Sequence, residues 1–120
     1  MTTRETGING EQKASDYLIS QGFSILERNW RTRTGEIDII ALKDEVIVFV
    51  EVKTLPNATI DMLKSVLSYR KQQRILKTSK CFLLNHRQYS NSLVRYDVIV
   101  MDMPGFPKVY HIQNAFSELV

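Results

Sequence analysis

A mixed α/β domain, with a central sheet flanked by helices, is the fold class that three features of the sequence predict. Residues 36–42 and 46–53 are consecutive runs rich in β-branched side chains, joined by the polar connection Lys43-Asp44-Glu45. A helical periodicity follows from about residue 60, and two further strand-like runs come after it. Helices and strands therefore share one chain of 120 residues, a length that suits a single domain over 1–120.

The first periodic segment runs to Gln21 and closes at Gly22, a helix C-terminal signal. Asn9 with Gln12 three residues on is one possible start; the other is an earlier one that absorbs Gly7 and Gly10. Residues 23–31 read as a strand and Thr32-Arg33-Thr34-Gly35 as a turn, after which the two clearest strands follow. Pro56-Asn57 stops the third strand, because proline cannot continue an interior ladder. In the long helix, Tyr69, Gln72, Ile75, Leu76, Ser79, Phe82 and Leu83 fall on one face, with Arg70, Arg74, Lys77 and Lys80 turned away. Residues 94–101 form a strand, Pro104-Gly105-Phe106-Pro107 a turn, 108–112 a partner strand and 114–119 a last short helix. The expected order is α-β-β-β-α-β-β-α.

Composition narrows the functional classes. With 43% hydrophobic residues, 5 Gly and 3 Pro, the chain is not of a disordered type. Its longest unbroken aliphatic and aromatic run, residues 46–50, is far short of the roughly 20 residues of a membrane helix. The amino terminus has no apolar signal region, and a single cysteine, Cys81, excludes an intrachain disulfide framework or a cysteine zinc cluster. A soluble, cytoplasmic domain with no membrane partner is the expectation. The net charge of +3 is unevenly spread. No acid separates Asp61 from Asp97, an interval holding Lys64, Arg70, Lys71, Arg74, Lys77, Lys80, Arg87 and Arg95. Arg28, Arg31 and Arg33 form a second cluster. Such charge attracts a polyanion such as nucleic acid, although a solvated helix face has the same composition.

The chemistry concentrates where carboxylates enter core strands, a place they rarely occupy. Glu36 and Asp38 share a face of one strand, and Glu51 and Lys53 share a face of the next. A two-residue turn that pairs Lys43 with Val46 sets Asp38 opposite Glu51 and Glu36 opposite Lys53. Opposed residues have Cβ atoms about 4.5 to 5.5 Å apart. Two carboxylates so close repel unless a proton or cation lies between them. That arrangement suits Mg²⁺ or Mn²⁺ at Asp38 and Glu51, with Lys53 orienting a nucleophilic water or offsetting transition-state charge. The competing reading is a cross-strand Glu36–Lys53 ion pair with buried, hydrogen-bonded acids, but two acids and one lysine leave surplus negative charge. Glu11 shares a helical stripe with Ala14 and Leu18. It reads either as a third, inward acid or as a partly exposed acid near a helix start.

These residues, taken with their neighbours, resemble a known family. Gly10-Glu11, Ala14, Tyr17-Leu18, Gly22, Arg28-Asn29-Trp30-Arg31, Gly35-Glu36-Ile37-Asp38-Ile39-Ile40-Ala41, Val48-Phe49-Val50-Glu51-Val52-Lys53-Thr54, Arg95-Tyr96-Asp97-Val98-Ile99 and His111-Ile112-Gln113-Asn114-Ala115-Phe116 occur in order. The chain closely resembles the YraN-like family of small bacterial proteins over nearly its whole length. That resemblance implies a restriction-endonuclease-like fold, similar to archaeal Holliday junction resolvases, and a metal-dependent nuclease acting on DNA. It assigns Glu11, Asp38, Glu51 and Lys53 to the catalytic pattern and matches Lys71 to a lysine usual in the second long helix. Glu36 belongs to the Gly-Glu-Ile-Asp signature as an accessory acid. The chain departs from the family at Leu55, where an arginine is common, and over residues 56–68.

The expected phosphate contacts are Arg28, Arg31, Arg33, Lys71 and Arg74, which orient a nucleic acid without reading its sequence. A homodimer is expected by analogy with resolvases, since two cuts need two sites. A non-catalytic nucleic-acid-binding or adaptor module that keeps the nuclease fold is the alternative. His86 and His111 lack metal-ligand spacing, and Cys81 has no nearby histidine. Trp30 and Tyr69 read as core, and Asp97 as an acid paired with a neighbour.

Overall fold

Helix α1 (Thr3–Ser20) presents Ala14 and Leu18, both fully buried, to one face of a five-stranded sheet. In this computed structural model, residues 3–57, 59, 61, 62 and 67–118 are described. The helix ends as the glycine signal requires: Gly22 adopts φ 94, and the Phe23 amide reaches back to the Leu18 carbonyl at 3.0 Å. Strands β1 (Ser24–Thr32), β2 (Gly35–Lys43) and β3 (Val46–Thr54) follow as an antiparallel meander. Helix α2 (Tyr69–Asn85) then crosses to β4 (Leu93–Met101), which lies parallel to β3. The edge strand β5 (Val109–Phe116) completes the order β1-β2-β3-β4-β5. The result is a mixed α/β layer structure with α1 and α2 on opposite faces. No helix among the described residues is long and apolar enough to cross a membrane.

Each face has its own core. Ile39, Ala41, Val48, Val50, Ile99 and Met101 pack with Ala14 and Leu18 on the α1 side. Ile40, Ile47, Phe49 and Tyr96 pack with Ile75, Leu76 and Phe82 on the α2 side. Strands covered on both faces explain why 46–50 is an uninterrupted apolar run. At the end of β3, a Cβ on Gly10 would lie 2.3 Å from Thr54 Oγ1, so glycine is what lets α1 approach there.

Two expectations are corrected. Residues 114–116 continue β5 instead of opening a helix, which leaves the order α-β-β-β-α-β-β; Leu119 lies outside the described residues. The cause is local: Asn114 takes φ 52 and donates its amide to Asp97 Oδ1, absorbing a register shift opposite Tyr96 and Val98. The strand survives to Phe116, whose ring stacks on Tyr96 at 5.2 Å. Tyr69 is not core but 68% exposed, at the first position of α2 after its cap Ser68. The helical pattern expected from residue 60 rests partly on Ile60 and 63–66, which lie outside the described residues.

Candidate functional site

The two-residue turn at Asp44-Glu45 forms as the strand register requires, with Asp44 at φ 54 and Lys43 paired to Val46. Regular pairing of β2 with β3 runs from there to Ile39–Val50 and stops. At the next step Asp38 Oδ2 accepts the Val52 amide at 2.8 Å, so a side chain takes the place of the ladder. Ile37 joins the α2-side core while Ile39 joins the α1-side core, so strict alternation is broken around Asp38. On β1 the position between the Arg28–Ile39 and Trp30–Ile37 pairs is Asn29, at φ 52. An irregularity at this point re-aims a side chain that a regular strand would hold in the pleat.

The end of the sheet opens into a cleft of about 400 Å³ lined by Glu11, Glu36, Asp38, Glu51, Val52, Lys53, Lys71 and Arg74. All four residues of the expected catalytic pattern are therefore brought together, with the accessory Glu36 and two of the five expected phosphate contacts. Glu51 is 7% exposed, and its Oε1 meets two ammonium groups, Lys53 at 3.4 Å and Lys71 at 3.2 Å. Ser68 caps α2 by accepting the Lys71 amide at 3.2 Å, which fixes the turn that carries this lysine.

Charge in the cleft is unevenly compensated. Burial, then the adjacent Glu51 carboxylate, pushes Asp38 up to about 7, with Glu11 and Glu36 adding to the effect and the Val52 amide opposing it. Burial and the neighbouring Lys71 lower Lys53. Lys71 is raised despite its burial, through its contacts with Lys53 and Glu51. Both lysines contact Glu51, and the Asp38 carboxyl holds its proton more tightly than a free carboxylate does.

The acids of the cleft offer a divalent cation few ligands of their own. Among the described residues no three His, Cys, Asp or Glu side chains form a preformed cage. Asp38 Oδ2 is committed to Val52 and Glu51 Oε1 to the lysines, which leaves one oxygen on each acid. Mg²⁺ is commonly held by one or two carboxylates, with waters and substrate phosphates completing its shell. The pair fits that kind of site, and the raised Asp38 carboxyl marks where positive charge is wanted.

Other expectations are relocated. Glu36 does not pair with Lys53; it meets Arg31 at 3.3 Å, because the ladder that would oppose Glu36 and Lys53 has already ended. Arg28 turns toward α1 and donates to Gln12 Oε1 at 2.8 Å, so its guanidinium is partly committed. Arg31 and Arg33 are exposed on the edge of the sheet beside the cleft's strand β2.

One network was legible in the sequence only as an acid, Asp97, paired with a neighbour, Arg95. Asp97, 0% exposed on the α1-facing side of β4, accepts Arg95 Nε and Nη2 at 2.9 Å each and the Asn114 amide at 2.9 Å. His111 Nε2 lies 2.7 Å from its Oδ2, and His111 Nδ1 lies 3.1 Å from the Tyr17 hydroxyl. A carboxylate only accepts, so Nε2 carries the hydrogen, and in the neutral ring Nδ1 accepts from Tyr17. Burial and the Asp97 charge raise the Tyr17 phenol, which stays a donor. Asp97 in the interior of an apolar strand was the available signal.

A family model described as the uncharacterised protein family UPF0102 matches residues 10–101. A UPF0102 protein of Treponema denticola is 42% identical, over 93% of this chain and 95% of the relative. One from Treponema pallidum is 44% identical over 95% and 94% of the two chains. A UPF0102 protein of Caldicellulosiruptor bescii is 38% identical over 97% and 100%.

Proposed function

The chain belongs to the uncharacterised protein family UPF0102, and on that footing we propose that it is a metal-dependent nuclease that hydrolyses phosphodiester bonds in DNA. The fold is read as restriction-endonuclease-like and akin to that of junction resolvases, on the order of its elements and the acids at the open end of β2 and β3. One observation carries the reading: Asp38, Glu51, Lys53 and Glu11, from two strands and a helix, line one cleft.

Asp38 and Glu51 would hold Mg²⁺ or Mn²⁺. A divalent cation at such a site supplies polarisation of the phosphoryl oxygen and neutralisation of developing charge. Lys53 orients the attacking water from its place beside Glu51. Lys71 holds Glu51 from the other side and, with Arg74, faces the scissile phosphate. Glu11 adds negative charge at the far wall, which favours a cation over a second anion in the cleft. Arg31 and Arg33 meet phosphates away from the bond that breaks.

The direct test is incubation with branched, single-stranded and duplex DNA, and with RNA, in Mg²⁺ or Mn²⁺, with Asp38→Asn as control. Cleavage by the wild type alone supports the reading. Stable binding with no cleavage in Mn²⁺ would instead favour a nucleic-acid-binding module that keeps the fold without turnover.

Binding should also depend steeply on salt, because phosphate contacts release counterions. Arg33→Ala, at an exposed position outside the cleft, should reduce the slope of log affinity against log salt by about one unit. Lys71 is a poorer probe of this term, since its ammonium is tied to Glu51. An unchanged slope for both Arg31→Ala and Arg33→Ala would assign the nucleic acid to another face.

A further inference from the structure

The nuclease reading uses the first turns of α2 and leaves its last turns unexplained. There α2, the short 3-10 turn Arg87–Tyr89 and the start of β4 enclose a groove of about 360 Å³. A second groove of about 300 Å³ adjoins it, and Lys80, Leu83 and Val94 line both. The first groove has an apolar floor: Leu84, 66% exposed, and Val94, 40% exposed, line it together with Leu83 and Tyr89. Large apolar side chains gathered in a concave surface, open to water, are a feature of interaction sites.

Charge selects the occupant. Among the described residues, the charged ones that line the first groove are Lys80 and Arg87, both cations. Where the two grooves meet, the Lys80 ammonium already receives a carboxylate, that of Glu118 from the segment after β5. A nucleic acid would find the cations but would bring nothing to bury against Leu83, Leu84 and Val94. A second copy using the same face would set Lys80 and Arg87 of each molecule against one another with Glu118, already engaged by Lys80, as the counter-charge, an arrangement that like charges oppose.

We propose that this double groove docks an acidic, amphipathic peptide segment of a partner protein. Its apolar side chains enter the two troughs, and its carboxylates meet Lys80 and Arg87, one of them displacing Glu118. The inference rests on the geometry of this end of the molecule and is independent of the nuclease reading.

Fluorescence anisotropy of the full chain tests it. The probe is a fluorescein-labelled nonapeptide in which aspartates alternate with phenylalanine and leucine, beside a counterpart with every aspartate replaced by lysine. The acidic peptide should bind with Kd below about 100 μM, and the basic one at least about 10-fold more weakly. Leu84→Asp, and separately the double change Lys80→Glu with Arg87→Glu, should each weaken the acidic peptide at least about 10-fold. Far-UV circular dichroism should stay unchanged in both, because these side chains are exposed. Glu118→Gln removes the internal competitor and should tighten binding. Equal affinity for the two peptides, no saturable binding of the acidic one, no loss in either groove variant, or weaker binding by Glu118→Gln would each overturn the proposal. A wild-type dimer that Leu84→Asp dissociates in sedimentation would also overturn it, assigning the face to self-association.

Discussion

Asp38→Asn is expected to make the protein more stable at pH 8 while removing divalent-cation binding and lowering any cleavage at least about 100-fold. The stability term follows from the sign of the shift. Asp38 is raised from 3.8 to about 7 in the folded chain, so the native state holds this proton more tightly than the unfolded chain does. Ionising Asp38 therefore erodes stability as pH rises through that window, and above it the erosion is complete. Asparagine cannot ionise and retains an oxygen for the Val52 amide, so a gain of about 1–3 kcal/mol is expected at pH 8, and little at pH 4. Urea unfolding followed by the fluorescence of Trp30, the single tryptophan, measures it at both pH values. Calorimetric titration of Mn²⁺ measures the other half. In the wild type, affinity should fall below about pH 7, as the cation competes with a proton for Asp38. Lys53→Ala should differ: Mn²⁺ still binds, more tightly with a positive neighbour gone, while cleavage is lost. Metal-free nucleic-acid binding should persist or strengthen in Asp38→Asn, because the phosphate then meets less negative charge. Wild-type Mn²⁺ affinity in Asp38→Asn would mean that the carboxylates are structural and that the nuclease reading fails.

Asp97→Ala should be the most destabilising single change on the opposite face, by about 3–5 kcal/mol. It leaves the Arg95 guanidinium, His111 Nε2 and the Asn114 amide facing a cavity where a fully buried carboxylate had received all of them. The pH dependence has the sign opposite to that of Asp38. Burial alone would raise Asp97, but the bonds from His111, Arg95 and Asn114 outweigh it and hold the carboxyl below its ordinary range. Its contribution is therefore complete above the unfolded value and is lost as pH falls through the folded one. Acid unfolding of the wild type should show this loss, and Asp97→Ala should abolish that component of the acid transition. The same variant removes the bonds that His111 and Asn114 of β5 make to β4 through Asp97, so amide exchange in β5 should rise more than in β2 or β3. Equal stability of wild type and variant at pH 7 would assign the network no structural role.

The strand pairing around Asp44-Glu45 was legible because a two-residue turn between two adjacent β-branched runs sets the register by itself, Lys43 to Val46. Helix α1 and its end at Gly22 were legible for a similar reason, since the required left-handed conformation is a local property of glycine. The departure from the register was not. Extrapolating a regular ladder past Ile39 gives a Glu36–Lys53 pair; the chain instead opens there, because Asp38 takes the Val52 amide and the two strands no longer exchange backbone bonds. The terminal helix expected over 114–119 failed on the same kind of fact, since the Asn114 amide finds its partner seventeen residues away on Asp97.

The sequence by itself determined the mixed α/β class, the order of the seven helices and strands from α1 to β5, and which acids and lysine stand on adjacent strands. These follow from periodicity and short-range stereochemistry, which are carried in neighbouring residues. Only the tertiary structure decided what those charges do to one another. Lys71 reaches Glu51 from the first turn of α2, which Ser68 caps, Glu36 is drawn to Arg31, and Arg28 is drawn to Gln12. Asp97 gains His111 and Tyr17 from β5 and α1, elements far from it in the chain. Burial and the position of distant charges fix the protonation of a carboxylate, and both come into being only when the layers close on the sheet.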